Sequence, residues 1–408
     1  MDLYLSKPGV MSCAGNNIDE LWQSVTGGNQ KGIKKVKACN DEEYFAARID
    51  DAVLKPSGAR YDMKIMRIEN AALEQIAGDV QAAVSKYGAE RVAVCVGSCD
   101  NGTEFSLAGH RKYFAEEKFP ADYSLEIQGA DYVATFVAEK FGLRGPVNTF
   151  STACSSSAGA IIKAAEMIMA GIVDAAVVGG IDIASDTTLI GFSSLEAVSS
   201  EITNPFSKNR HGITLGDGAA FFVLSREQVV ECPRSGCIET TIRLLGWGES
   251  ADAYHMTSPD PSGAGAEKAI RRALENSGIS TADVGYINLH GTGTKFNDSM
   301  EAKAVAAIFG EDGTAKVPVS TTKPVTGHTL GAAAALEAAI CWKALFENQN
   351  KNDNIKLPVQ VWDGQRDEEL PQLNFASQGS GPLKVCLSNS FAFGGANACL
   401  VLGTTVVE

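Results

Sequence analysis

The sequence predicts an α/β protein made of two similar halves, and three observations lead there. Strand-like and helix-like segments alternate from end to end, which favours helices packed on buried, partly parallel sheets. Several strand-like segments, such as Ala175–Ile183, are unbroken apolar runs of the kind that sheets covered on both faces require. Two passages, VNTFSTACSSSAGAIIKAAEMIMAG and VPVSTTKPVTGHTLGAAAALEAAICWKAL, also share one order: strand, Ser-Thr, a reactive residue, small residues, long helix.

In the first half Arg91–Val96 reads as a strand ending at Gly97-Ser98. Residues 124–142 carry helical spacing through Ile127, Tyr132, Val133, Phe136, Val137 and Phe141 and close at Gly142. Pro146–Ser151 reads as a strand, Ser155–Ala170 as a helix ended by Gly171, and Ala175–Ile183 and Gly218–Leu224 as buried strands. In the second half Ala264–Asn276 is a helix closing at Gly278, Tyr286–Leu289 a strand, Asp298–Phe309 a helix and Val317–Thr321 a strand. Gly331–Phe346 is a long helix, and Val385–Ser388 and Ala398–Leu402 are strands around a glycine-rich turn. The joint falls at Glu227–Gly236, where Pro233 and Gly236 interrupt the pattern, giving halves 1–230 and 231–408.

Bulk properties narrow the function. The chain has 408 residues, 45% hydrophobic and 21% charged, as an ordinary globular protein does. A net charge of −14 argues against broad binding to nucleic acid or anionic membrane. No run approaches a membrane span, and Met1-Asp2-Leu3-Tyr4 opens no secretory signal, so a cytoplasmic enzyme is expected. The ten cysteines form no CxxC pair, so neither a zinc cage nor a disulfide framework is suggested.

One cysteine stands apart. Cys154, in STACSSSAGA, follows a strand and opens a helix, where unpaired amides and the helix dipole are expected to lower a thiol pKa. His290, in INLHGTGTKFND, sits at the end of a buried strand. His328, in STTKPVTGHTLG, lies in a turn fixed by Pro324 and Gly327, with Lys323 five residues before it. Alone, Cys154 reads equally well as a structural thiol, each histidine reads better as a packing or capping residue, and Lys323 as a surface lysine. Two of only five histidines in glycine-flanked turns at strand–helix mouths lift the functional reading. In SNSFAFGGANACLVL, Phe391, Phe393, Gly394 and Gly395 form a turn whose amides can approach a ligand. A thiol that accepts an acyl group, with imidazole donors to hold an enolate, suits thioester chemistry.

Together these segments resemble the beta-ketoacyl-acyl-carrier-protein synthases of the elongating Cys-His-His type, which share the thiolase fold. The resemblance is carried by TACSSS, VDAAVVGGIDIAS, NRHGITLGDGAAFFVL, DAYHMTSPDPSG, YINLHGTGTKFND, STTKPVTGHTLGAAAALE and LSNSFAFGGANACLVL, in that order over roughly residues 90–402. It implies a five-layered αβαβα fold of two duplicated halves, a homodimer, and decarboxylative condensation of an acyl group with malonyl-acyl-carrier protein. By motif, Cys154 would accept the acyl group, and His290 and His328 would bind the malonyl thioester. Lys323 would organise the site with Glu301, and Thr292 and Thr294 would contact the phosphopantetheine arm. The amides of Cys154 and Phe393 would form the oxyanion hole, with Phe393 a gate and Phe192 and Phe391 in the acyl pocket. No permanently bound cofactor or metal is implied, because the carrier brings the phosphopantetheine.

The chain departs from the family pattern in places that leave this set intact. It opens with MDLYLSKPGVMSCAGN, and Ala392, Ala396, Asn204, Ser207 and His211 replace more usual residues. These bear on which carrier and which chain length are used. The family's carrier is acidic, so RYDMKIMR, with Arg60, Lys64 and Arg67, is expected to dock it through Lys64 and Arg67. Two alternatives are weaker. A thiolase needs a second catalytic cysteine, and Cys386 and Cys399 do not sit in its Cys-x-Gly arrangement. A non-condensing chain-length partner of a polyketide synthase normally lacks the nucleophile.

Overall fold

The computed structural model describes residues 3–58, 60, 62–229, 240–311, 314–349, 351, 353–376 and 382–406. Most of the joint expected at Glu227–Gly236 lies outside them.

Thirteen of the strands form one continuous sheet with two like halves, and Lys34–Lys37, Glu43–Ala47 and Leu215–Gly216 form a small second one. In the first, Val147–Phe150, Val92–Gly97 and Ala175–Asp182 lie parallel, and Gly218–Ser225 runs antiparallel beside the last. In the second, Thr314–Ser320, Tyr286–Asn288 and Val385–Phe391 lie parallel, and Ala396–Val406 runs antiparallel beside the last. Leu3–Leu5 bridges the halves, pairing with Gly218–Ser225 on one side and Thr240–Ala251 on the other.

Strand periodicity explains the layering. On Val92–Gly97, Ala93 and Cys95 face one core, while Val92, Val94 and Val96 face another. Ala176 and Val178 divide from Ala175 and Val177 in the same way. In the second half Tyr286 faces the first core and Ile287 a third, as do Cys386 and Leu387. The shared core holds two helices, Ser156–Met169 and Ala333–Glu347, sandwiched between the half-sheets. Lys64–Glu74, Ala77–Tyr87 and Tyr132–Phe141 cover one outer face, and Ala264–Ser277 and Lys295–Phe309 the other. The result is the five-layered αβαβα arrangement. Close packing at its centre demands glycine: a Cβ on Gly97 would lie 2.2 Å from the Ser157 amide nitrogen, and one on Gly180 2.7 Å from Ser157 Cβ.

One expected helix differs. Residues 124–142 are not one helix but a 3-10 turn, Leu125–Gln128, and an α-helix, Tyr132–Phe141. Gly129, with extended backbone, separates them, and only the second segment buries a full apolar face.

Candidate active site

Each central helix begins with the same device. Ala153 and Leu330 both take left-handed backbone, φ 51° and 52°, and each starts a 3-10 turn, Ala153–Ser155 and Leu330–Ala332. This conformation costs a non-glycine residue about 1 kcal/mol or more, and the surrounding layers hold it in both halves. In one half it presents Cys154. In the other it turns the Leu330 N–H back onto His328 Nδ1, 3.2 Å away.

That hydrogen bond fixes the imidazole. A backbone N–H can only donate, so Nδ1 of His328 accepts and the ring carries its proton on Nε2. His328 Nε2 lies 3.1 Å from Cys154 Sγ. His290 is set in the same sense. Lys323 Nζ lies 3.4 Å from His290 Nδ1 and donates to the His290 carbonyl at 2.5 Å. An ammonium has only protons to offer, so Nδ1 accepts and Nε2 bears the hydrogen. His290 Nε2 is buried with no protein partner among the described residues. The two rings meet edge-to-face, centroids 5.3 Å apart, and ligating atoms of Cys154, His290 and His328 all fall within 4.8 Å of one another.

Burial sets the charges. Both imidazoles titrate well below the usual histidine range, through desolvation first and the Lys323 ammonium second, with His328 adding to the shift at His290. Both are therefore neutral at pH 7. A thiol and two imidazoles can ligate a metal, but the ammonium against His290 opposes a second cation here and favours a site for developing negative charge. The thiol behaves differently from the expectation. Burial pushes Cys154 up to about 11, outweighing the lowering by Lys323 and by the Phe393 and Cys154 amides that point at the sulfur. The helix mouth alone does not make a standing thiolate.

Lys323 does not pair with Glu301, as expected; it pairs with Glu337, at 2.5 Å. Glu337 projects inward from the alanine-rich helix Ala333–Glu347 and reaches Lys323 Nζ within the core. Glu301 instead accepts the amides of His290 and Gly291, each at 2.8 Å, and Asn389 Nδ2 at 3.2 Å. It holds the loop, not the lysine. Sequence reasoning missed Glu337 as a site residue, although a charge set among the alanines and apolar residues of 332–342 was its signal.

The remaining candidates surround this centre. Thr292 and Thr294 hydroxyls meet at 3.0 Å. Thr294 and Phe393 line a cleft of about 450 Å³, with Leu195, His211, Lys295 and Phe296. Phe192 stacks at a tilt on Phe393, centroids 5.8 Å apart, and buried Phe391 meets the His290 ring at 6.2 Å. Phe393 thus ties the cleft to the sulfur, since it lines the one and its amide points at the other. Lys64 and Arg67 lie away from it, on the helix Lys64–Glu74. Lys64 turns inward to Asp217 at 3.0 Å and to the Ile49 carbonyl at 2.8 Å, and Arg67 pairs with Asp62 at 2.9 Å. The inward turn of Lys64, which neutralises buried Asp217, departs from its expected outward role.

Comparison with known proteins places the chain in a family. The family model described as "Beta-ketoacyl synthase, N-terminal domain" matches residues 9–229, and that described as "Beta-ketoacyl synthase, C-terminal domain" matches residues 242–351. A 3-oxoacyl-[acyl-carrier-protein] synthase 2 of Vibrio harveyi is 33% identical, covering 96% of each chain. One from Coxiella burnetii is 32% identical over 97% of this chain and 96% of its own. Among solved structures, a ketosynthase in complex with its chain length factor from Xenorhabdus doucetiae superposes with a TM-score of 0.86 at 37% identity, covering 99% of this chain and 98% of that one. With both family domains matched and relatives alike over nearly their whole length, this chain belongs to the beta-ketoacyl synthase family.

Proposed function

We propose that the protein condenses a Cys154-bound acyl group with a malonyl thioester carried on an acyl carrier protein, releasing carbon dioxide and a 3-oxoacyl thioester. One observation carries the reading: two neutral imidazoles, each with its proton on Nε2, converge beside a thiol that has amide donors of its own.

The first step is acyl transfer. Cys154 Sγ attacks the incoming thioester carbonyl, and the Cys154 and Phe393 amides hold the oxygen as it gains charge. The carrier's thiol leaves with the proton that Cys154 gives up, so no external base is consumed. The thiol's high pKa suits this concerted exchange. In the second step the malonyl thioester oxygen lies against the two Nε2–H donors. Its carboxylate leaves as carbon dioxide, and the electron pair moves onto the thioester as an enolate. The enolate carbon attacks the acyl-Cys154 carbonyl, the Cys154 sulfur leaves, and one proton is taken up. Burial, reinforced by the Lys323 ammonium, keeps both imidazoles neutral; Lys323 also holds His290 in the required tautomer, and Glu337 balances its charge.

We further read the chain as two halves, 1–230 and 231–408, working as a homodimer. The strand Val147–Phe150 supports this. It ends the sheet; the Pro146 and Phe150 carbonyls bond inward, leaving the Val147 and Thr149 backbone groups facing the open edge. Thr292 and Thr294 are read as contacts for the phosphopantetheine arm, Phe192 and Phe391 as acyl-pocket wall, and Arg67 as a minor carrier contact. The pathway, fatty-acid or polyketide and aryl-polyene synthesis, depends on the acyl group accepted. A non-condensing chain-length partner is disfavoured by the intact thiol–imidazole contact.

Intact-mass profiling tests the reading. Acyl-carrier thioesters of differing length and unsaturation should each be scored for an acyl adduct on Cys154. Malonyl-carrier should then release carbon dioxide and 3-oxoacyl product. A wild-type chain that takes acyl groups but never condenses would overturn it; a polyene or aryl preference would move the pathway away from fatty acids.

A further inference from the structure

The carbonyl just ahead of the nucleophile accepts three donors. Ala153 O takes the Ser156 N–H, the Ser156 hydroxyl at 2.6 Å and the Cys99 thiol at 3.4 Å. Helix initiation accounts for the N–H alone; the hydroxyl and the thiol are additional. Ser156 Oγ also accepts the Thr152 N–H at 2.9 Å, so its single hydrogen is committed to Ala153. Ser156 is fully buried. Burial, then Asp182, pushes the Cys99 thiol well up, so it keeps the proton that it donates. Cys99 is itself pinned: Asp182 accepts its N–H at 2.9 Å and the Gly331 N–H at 2.6 Å. That carboxyl joins the turn bearing the thiol to the turn that sets His328.

The consequence lies across the peptide bond. The Ala153 carbonyl and the Cys154 N–H belong to one planar trans unit and point in opposite directions, so gripping the oxygen aims the hydrogen. Donors on the oxygen also polarise the unit and strengthen its N–H as a donor. That N–H is one of the two amides at the Cys154 sulfur. We propose that Ser156 and Cys99 are positioning residues for acyl transfer, holding the Ala153–Cys154 peptide so that the Cys154 amide meets the oxygen of the incoming thioester. This rests on the condensation proposed above. Both residues act through the amide, not on the substrate.

Ser156→Ala, Cys99→Ala and Cys99→Ser are compared in the full-length chain. Acylation of Cys154 by an acyl-N-acetylcysteamine thioester is followed by intact mass. Carbon dioxide release from malonyl-carrier, which the imidazoles serve, is timed on chain already fully acylated. Removing an oxyanion donor outright costs about 10²–10³, so losing its aim in Ser156→Ala should lower kcat for acylation about tenfold or more, with KM and carbon dioxide release held within about twofold. Cys99→Ala should lose about threefold, the thiol being the weaker donor, and Cys99→Ser, which keeps a donor, should restore most of that loss. Wild-type acylation in Ser156→Ala, equal losses of acylation and carbon dioxide release, or Cys99→Ser no faster than Cys99→Ala would overturn the proposal. The Cys99 pair decides it even where Ser156→Ala fails to fold. Wild-type chain that takes no acyl group onto Cys154 would instead overturn the function on which it rests.

Discussion

Replacing Lys323 by methionine separates what this lysine does for stability from what it does for chemistry. Its Nζ is buried and holds Glu337 Oε1 at 2.5 Å and the His290 carbonyl at 2.5 Å. Glu337 already titrates at about 6 instead of 4.5, through burial opposed by Lys323. Keeping it ionised at neutral pH therefore costs about 2 kcal/mol even with its partner. Without the ammonium the opposing influence is gone, and breaking a buried pair this way costs about 3–5 kcal/mol. The sign with pH follows. A carboxyl whose folded pKa is raised favours the protonated form in the fold, so its contribution to stability is greatest at low pH and declines as pH rises through about 4.5 to 6. In Lys323→Met that folded pKa rises further, extending the decline upward. Urea denaturation of both chains at pH 8 and pH 5 should show a large loss at pH 8 that shrinks by at least about half at pH 5. Lys323→Met combined with Glu337→Gln should recover much of the stability. It should not recover condensation, because His290 has still lost the group that fixes its tautomer. A destabilisation equal at both pH values, or full recovery of activity in the double variant, would refute the reasoning.

Other outcomes follow from the same geometry. His328→Ala removes a donor 3.1 Å from the sulfur and should slow malonyl decarboxylation by about 10²–10³; Cys154 acylation, which relies on backbone amides, should fall far less, as carbon dioxide release and intact mass would report. Alkylation of Cys154 by iodoacetamide should rise steadily from pH 7 to 9, since its pKa near 11 leaves the thiolate fraction climbing throughout; a plateau below pH 8 would contradict this. Thr149→Pro removes an outward N–H from the edge strand without breaking an inward bond, and size-exclusion chromatography should then show monomer in place of dimer. Gly97→Ala drives a Cβ to 2.2 Å from the Ser157 nitrogen and should cost about 1–3 kcal/mol on thermal denaturation.

Much of this was legible in the sequence, because the chemistry sits where strands hand over to helices. Cys154 and His328 were found by their place ahead of long helices, and the structure puts their side chains in contact. The duplication was legible too, and the structure adds matching left-handed residues, Ala153 and Leu330, ahead of both central helices. What escaped needed three dimensions. Glu301 was paired with Lys323 by motif, yet the lysine meets Glu337, and nothing in AAAALEAAICW says which way its glutamate points. The sign of the Cys154 shift was also hidden. A helix mouth promises a lowered pKa, but the burial that reverses it comes from layers distant in sequence. Lys64 has the spacing of a surface cation and turns inward because Asp217 lies beneath it, 153 positions along the chain.

The central claim concerns two protons, and side-chain nitrogen NMR reads them directly. Five histidines make the spectrum assignable by single substitution. His290 and His328 should appear as neutral rings protonated on Nε2, unchanged from pH 8 down to pH 6. A cationic ring, or a proton on Nδ1 of either residue, would contradict the account.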